Sequence, residues 1–253
     1  MTLILAKTTS HNIKFPGTYN YFSAHTKKIS KKYKQDNITY TFNSQGYRCD
    51  EFENIKWNES ILALGCSYTQ GIGLDDKECW SYQLQKKLNM PVVNLAQHGT
   101  SIFYHLYNLE ILHELNPKFV IVQIPDVHRF TIFPTDIKKD VRNLGWFSIS
   151  HSTAFRRLLK KKEFKPALQQ RSDFYFMKVW SENDTHLQYV RFAVNYIKTL
   201  YKDRCFFFGI GTNCQEPYLI QMHAEVYDQA RDLGHAGPMS HRNWANQLSH
   251  AIF

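Results

Sequence analysis

The sequence predicts a doubly wound α/β fold, and three observations carry that expectation. Short, almost wholly apolar runs recur at residues 61–64, 119–124 and 205–210; they are too brief for core helices and are of the kind buried on both faces of a parallel sheet. Between them, apolar residues repeat at helical spacing. The order strand, helix, strand, helix, strand is that of a parallel sheet wrapped by helices.

Residues 1–40 show no strong periodicity and carry Lys27, Lys28, Lys31, Lys32 and Lys34, which predicts an N-terminal arm ahead of a single domain over 41–253. Ile61-Leu62-Ala63-Leu64 is the first central strand, and Gly65 ends it. Trp80, Leu84 and Leu88 form the apolar stripe of a helix, and residues 91–95 form the second strand. A second helix over 101–115 follows from Ile102, Leu106, Leu109 and Leu112, and Asn116-Pro117 stops it. Residues 119–124 are the third strand.

Residues 131–184 then break the rhythm with aromatics, prolines and charges, including Arg156, Arg157, Lys160, Lys161 and Lys162. An insertion of that size on the carboxyl edge reads either as a lid or substrate platform or as a packing subdomain. The pattern resumes with Leu187, Val190, Val194, Ile197 and Tyr201 on one helical face and with the strand over 205–210. Residues 239–252 close the chain as a helix with Trp244 and Leu248 inward.

With 253 residues and 43% hydrophobic content, the chain can bury one substantial core. No run reaches membrane-spanning length, and Leu3-Ile4-Leu5-Ala6 lacks the basic leader and full apolar region of a signal peptide. The expected location is therefore cytoplasmic. The five cysteines, at 49, 66, 79, 205 and 214, show no Cys-x-x-Cys spacing, so reduced thiols are expected rather than a disulfide framework or a structural zinc site. A formal charge of +9 attracts anionic polymers or surfaces without specifying one; solvated faces are the ordinary reading of the basic clusters. No specific nucleic-acid partner is expected, and the oligomeric state is left open.

The chemistry centres on Gly65-Cys66-Ser67-Tyr68-Thr69. Ser67 lies just past the carboxyl end of the first strand, the edge where open α/β sheets bind ligands. An ordinary reading makes Ser67 or Thr69 a helix cap. The segment also resembles the first block, Gly-Asp-Ser-x-Thr, of the SGNH (GDSL-type) hydrolases. Asn43-Ser44-Gln45-Gly46-Tyr47-Arg48 is similar to an Asn-x-x-Gly-aromatic-Arg lead-in found in many members, Asn94-Leu95-Ala96-Gln97-His98-Gly99 resembles the second block, and Asp232-Leu233-Gly234-His235 resembles the last, Asp-x-x-His. The resemblance extends over residues 41–250 in the family's order.

The resemblance implies a three-layer α/β/α, flavodoxin-like sheet and a serine esterase that needs no metal or cofactor. It makes Ser67 the nucleophile, His235 the general base and acid, and Asp232 the carboxylate that orients the imidazole. The backbone N–H groups of Ser67 and Gly99 become oxyanion donors. His241 is the reserve base, its ordinary role being a capping or surface histidine. The family's third donor is an asparagine in a Gly-x-Asn-Asp block; here the chain reads Ile124-Pro125-Asp126-Val127-His128-Arg129, leaving Gln123, His128 and Arg129 as candidates. Cys66 stands where the family has aspartate, so the turn lacks that carboxylate, and Ala236 replaces a common proline.

Three functions follow as expectations: hydrolysis of a small-molecule or glycan acyl ester, acetyl among the candidates; transfer of the same acyl group to an alcohol; or a weakened scaffold that binds a glycan or anionic polymer.

Overall fold

The computed structural model describes residues 17–20, 38–132, 147–149, 185–211 and 216–252. Both basic clusters, nearly all of the expected arm and most of the 131–184 insertion lie outside these residues. Strand β1 (Gly17–Asn20) pairs antiparallel with β2 (Thr39–Phe42). The division expected at residue 40 thus falls inside β2, and Ile38 and Tyr40 are buried with the domain.

The central sheet contains β3 (Ile61–Leu64), β4 (Val92–Asn94), β5 (Phe119–Gln123), β8 (Cys205–Ile210) and β9 (Met222–Ala224). All four pairings are parallel, in the order β4-β3-β5-β8-β9. Counted along the chain, that order is 2-1-3-4-5, the flavodoxin-like arrangement, whose ligand crevice opens where the chain reverses direction beside its first strand. Here that crevice lies at the carboxyl ends of β3 and β5. A short ribbon of β6 (Phe130–Ile132) and β7 (Phe147–Ile149) follows β5.

Helices cover both faces. Because successive strand residues point to opposite sides, Leu62, Leu64, Val120, Val122 and Phe207 pack with Ile102, Leu109 and Leu112 of α3 (Ile102–Leu112) and with Val190, Val194, Ile197 and Tyr201 of α4 (Thr185–Tyr201). On the other face Ile61, Ala63, Ile121, Phe208 and Ile210 meet Trp80 and Leu84 of α2 (Trp80–Leu88) and Trp244, Ala245 and Leu248 of α5 (Pro238–Ile252). This double burial is why the strands read as continuous apolar runs. Helix α3 ends in a short turn over His113–Leu115, closed by Asn116 at φ +49° immediately before Pro117. Helix α5 begins at Pro238, and the Asp228 carboxylate accepts the N–H groups of Met239 and Ser240 at 3.0 and 2.8 Å. Among the described residues no helix is long and apolar enough to cross a membrane.

Candidate active site

Ser67 opens α1 (Ser67–Gln70), the single helical turn that follows β3. The Gly65–Cys66 peptide in front of it is held from both ends. Its carbonyl accepts the Gln97 N–H at 3.2 Å and the Thr100 hydroxyl at 3.2 Å, and it lies 3.0 Å from His105 Nε2. Its N–H donates to Gln123 Oε1 at 3.0 Å, an oxygen that also receives the Cys66 thiol at 3.2 Å and the Thr69 hydroxyl at 3.4 Å. There is no room at residue 65 for more than glycine, since an added Cβ would collide with Thr69 Oγ1 and lie 2.7 Å from Gln123 Oε1.

The upstream turn and the second block brace the same helix. Asn43 Oδ1 accepts the N–H groups of Gln45 and Tyr47, which shapes the turn that projects Arg48 inward. The Arg48 guanidinium donates to the carbonyls of Gln70 at 2.8 Å, Gly71 at 2.7 Å and Leu74 at 3.1 Å, and it pairs with Asp76. The first two are carbonyls that the end of α1 leaves unsatisfied, and the third belongs to the loop that follows. From β4, Asn94 donates to the Thr69 carbonyl at 2.8 Å, and the His98 N–H donates to Gln70 Oε1 at 2.9 Å. Gly99 is thereby fixed relative to Ser67. It sits at φ +72°, and a Cβ there would meet nothing within 4 Å, so its backbone borders open space.

The last block folds as a tight turn on the same edge. Asp232 Oδ2 lies 2.5 Å from His235 Nδ1, and Asp232 Oδ1 accepts the N–H groups of Gly234 and His235, each at 3.2 Å. Burial alone would raise the Asp232 carboxyl, but the hydrogen bond and charge of His235 and the two N–H donors bring it below the ordinary aspartate value. The turn is docked against the chain leaving α1: a Cβ on Gly73 would lie 2.8 Å from Asp232 Oδ1, the Arg231 N–H donates to the Gly73 carbonyl at 3.3 Å, and the Arg231 guanidinium clasps Glu78 at 2.5 and 3.0 Å. The His235 ring stands edge-on to Tyr68, the residue after Ser67, with centroids 5.4 Å apart.

Ser67, Asp232 and His235 are therefore gathered on one sheet edge. Ser67 retains 7% exposure and the His235 side chain 24%, so neither is sealed in the core. Among the described residues no hydrogen bond joins the Ser67 hydroxyl to His235; such contacts are often long without substrate. The reserve histidine is elsewhere: His241 is 1% exposed, its Nδ1 accepts the Trp80 N–H at 3.0 Å, and burial pushes it down to about 3. It caps the start of α2.

Of the three candidates for a third oxyanion donor, Gln123 is fully buried, and its Nε2 donates to the Ile124 carbonyl at 2.6 Å. Since a backbone N–H must find an acceptor, the Cys66 contact fixes which end of the Gln123 amide faces the turn. The His128 ring lies tilted against that of His186, with centroids 4.2 Å apart, while Arg129 Nη1 is buried without a partner. Tyr68 and Gln70 carry no signal in the sequence, because a helix of a single turn is too short to show a spacing. A cavity of about 470 Å³ opens away from the site, among Arg48, Ser60, Pro91 and Gln85, and none of the residues of the Ser67, Asp232 and His235 cluster lines it.

No protein-family model matches the sequence, and no curated protein matches it. Among solved structures the chain is similar to an acetyl xylan esterase from Butyrivibrio proteoclasticus, at 12% identity and a TM-score of 0.41, covering 86% of this chain and 66% of that one. It spans just under two thirds of that esterase's length. A protein of the G-D-S-L family from Desulfitobacterium hafniense is similar at 12% identity and a TM-score of 0.42, over 78% of this chain and 100% of that one. An esterase from Pseudoalteromonas, EstA, is similar at 14% identity and a TM-score of 0.39, over 77% and 96% of the two chains.

Proposed function

We propose that the protein is a serine esterase acting on a small-molecule or glycan acyl ester through Ser67, His235 and Asp232. The observation that carries this reading is the 2.5 Å contact between Asp232 Oδ2 and His235 Nδ1, made in a turn docked on the Ser67 loop. A carboxylate in that position keeps the proton on Nδ1 and leaves Nε2 as the base.

In the proposed reaction Ser67 Oγ attacks the ester carbonyl carbon as its proton passes to His235 Nε2. The carbonyl oxygen, now negative, is stabilised by the N–H groups of Ser67 and Gly99. Collapse breaks the bond to the alcohol, which leaves with the proton from His235. Water then attacks the acyl-enzyme with the same imidazole as base, releasing the acid and restoring Ser67. Asp232 stabilises the imidazolium in both halves.

The fixed Gly65–Cys66 peptide supports this assignment, because preorganised donors aid catalysis only when they need not reorganise during reaction. Acid-quenched turnover of p-nitrophenyl acetate tests it. The wild type is expected to carry an acetyl group on the peptide containing Ser67, and Ser67→Ala to carry none; release of nitrophenol by both proteins at equal rates would refute the assignment.

A further inference from the structure

After β5 the chain turns sharply, with the Arg129 N–H donating to the Asp126 carbonyl at 2.9 Å and the His128 N–H to Asp126 Oδ1 at 3.0 Å. This turn stands on the same carboxyl edge as the Ser67 loop, because β5 pairs with β3 up to Leu64 opposite Val122. Arg129 Nη1 is buried and has no hydrogen-bond partner. The other guanidinium groups near the core are engaged: Arg48 by carbonyls and Asp76, Arg204 by Asn116 and Pro117, and Arg231 by Glu78.

A buried polar group left unpaired is costly, and each such group in a folded protein calls for a reason. Two observations point to a ligand here. Arg129 as a whole keeps some exposure, so the residue that holds this buried Nη1 reaches the surface at this turn. It also lies within electrostatic reach of Tyr68, whose ring packs on His235. Among the described residues no carboxylate pairs with it: Asp126 accepts the His128 N–H, and Asp232 contacts His235. A guanidinium offers several donors in a plane, which suits a carboxylate, sulfate or phosphate better than a neutral group. The formal charge of +9 draws such ligands toward the protein.

We propose that Arg129 anchors an anion subsite beside Ser67, and that the ester cleaved carries a carboxylate, sulfate or phosphate close to the scissile bond. The inference rests on the esterase reading for its substrate, but the subsite itself can be tested without turnover.

Two measurements on the full chain test it. The first compares kcat/KM for the p-nitrophenyl monoester of succinate with that for the neutral butyrate ester. The wild type should favour the anionic ester by about tenfold or more, Arg129→Gln should lower that ratio about tenfold to a hundredfold, and Arg129→Lys should retain part of it. The second measures succinate binding by calorimetry. Ser67→Ala should bind succinate, and the Ser67→Ala/Arg129→Gln protein should lose about tenfold or more in affinity. Loss of binding in the double variant supports the subsite even if the wild type cleaves neither ester, an outcome that removes the esterase reading alone. A ratio unchanged in Arg129→Gln, or equal slowing of both esters, overturns the proposal, as does equal succinate binding by the two Ser67→Ala proteins. Arg129→Lys, which keeps the charge, decides the matter if Arg129→Gln does not fold, since selectivity lost completely in a folded Arg129→Lys still supports the forked donor and selectivity wholly unaltered overturns it.

Discussion

Gln123, at the end of β5, accepts the backbone N–H of Cys66 at 3.0 Å, and so one central strand holds the turn that carries the proposed nucleophile on its neighbour. The same oxygen takes the Cys66 thiol and the Thr69 hydroxyl. In a turn without a carboxylate at residue 66, this side chain ties the parts together. Gln123→Leu leaves the Cys66 N–H buried and unpaired, so a loss of about 1–3 kcal/mol is expected in urea unfolding. Stability equal to wild type would show that the turn does not depend on this contact.

Asp232→Asn keeps the shape of the last turn but removes the charge that holds the His235 tautomer. On the proposed mechanism kcat should fall by roughly a hundredfold to ten-thousandfold, with a smaller loss of stability at neutral pH from the charge removed. Activity within a factor of about two of wild type would rule out the role given to Asp232.

Gly99→Ala separates substrate space from folding. The residue needs φ +72°, so a side chain there costs roughly 1–2 kcal/mol, yet the added methyl meets no protein atom within 4 Å. It projects into the open space that the proposed oxyanion donor at Gly99 borders, and the expected loss in kcat is about tenfold or greater. A variant that is less stable but turns over ester at the wild-type rate would place the oxyanion elsewhere.

Two buried histidines set an acid limit on stability. Burial pushes His105 down to about 4 and His241 to about 3, against an ordinary value of 6.5. Above that value both are neutral in the folded and unfolded chains, and no penalty arises. As pH falls below it, the unfolded chain takes up protons that the fold refuses, so stability declines from near pH 6.5 toward pH 4, by on the order of 3 kcal/mol for a shift such as that of His105. The depressed Asp232 carboxyl adds a loss in the same direction only at still lower pH, near and below the ordinary aspartate value. His241→Asn, which keeps an acceptor for Trp80, should flatten the decline in urea titrations at neutral pH and near pH 5. A wild type whose stability is level over that interval would contradict the burial argument.

The core strands were legible in the sequence because they are buried on both faces: Ile61–Leu64 and Cys205–Ile210 have the expected bounds, and the stripes of α2, α3, α4 and α5 point inward as their spacing predicts. Met222–Ala224 was not, since three residues with His223 exposed at a sheet edge carry no periodic signal. The candidate site was legible only in part. Ser67, Asp232 and His235 lie in short blocks of recognisable residue types, whereas the clamp made by Arg48 and the amide of Gln123 act between segments far apart in the chain. Gln123 illustrates the limit: its residue type suits an oxyanion donor, but only the fold shows that its oxygen faces Cys66 and that its nitrogen is turned to Ile124.

The most direct test of the central claim is labelling with a fluorophosphonate, which reacts with a serine activated by a neighbouring base. The wild type should be modified on Ser67 at neutral pH, Ser67→Ala not at all, and His235→Ala only at a strongly reduced rate. A folded wild type that stays unlabelled, or a label found on another serine and retained in Ser67→Ala, would contradict it.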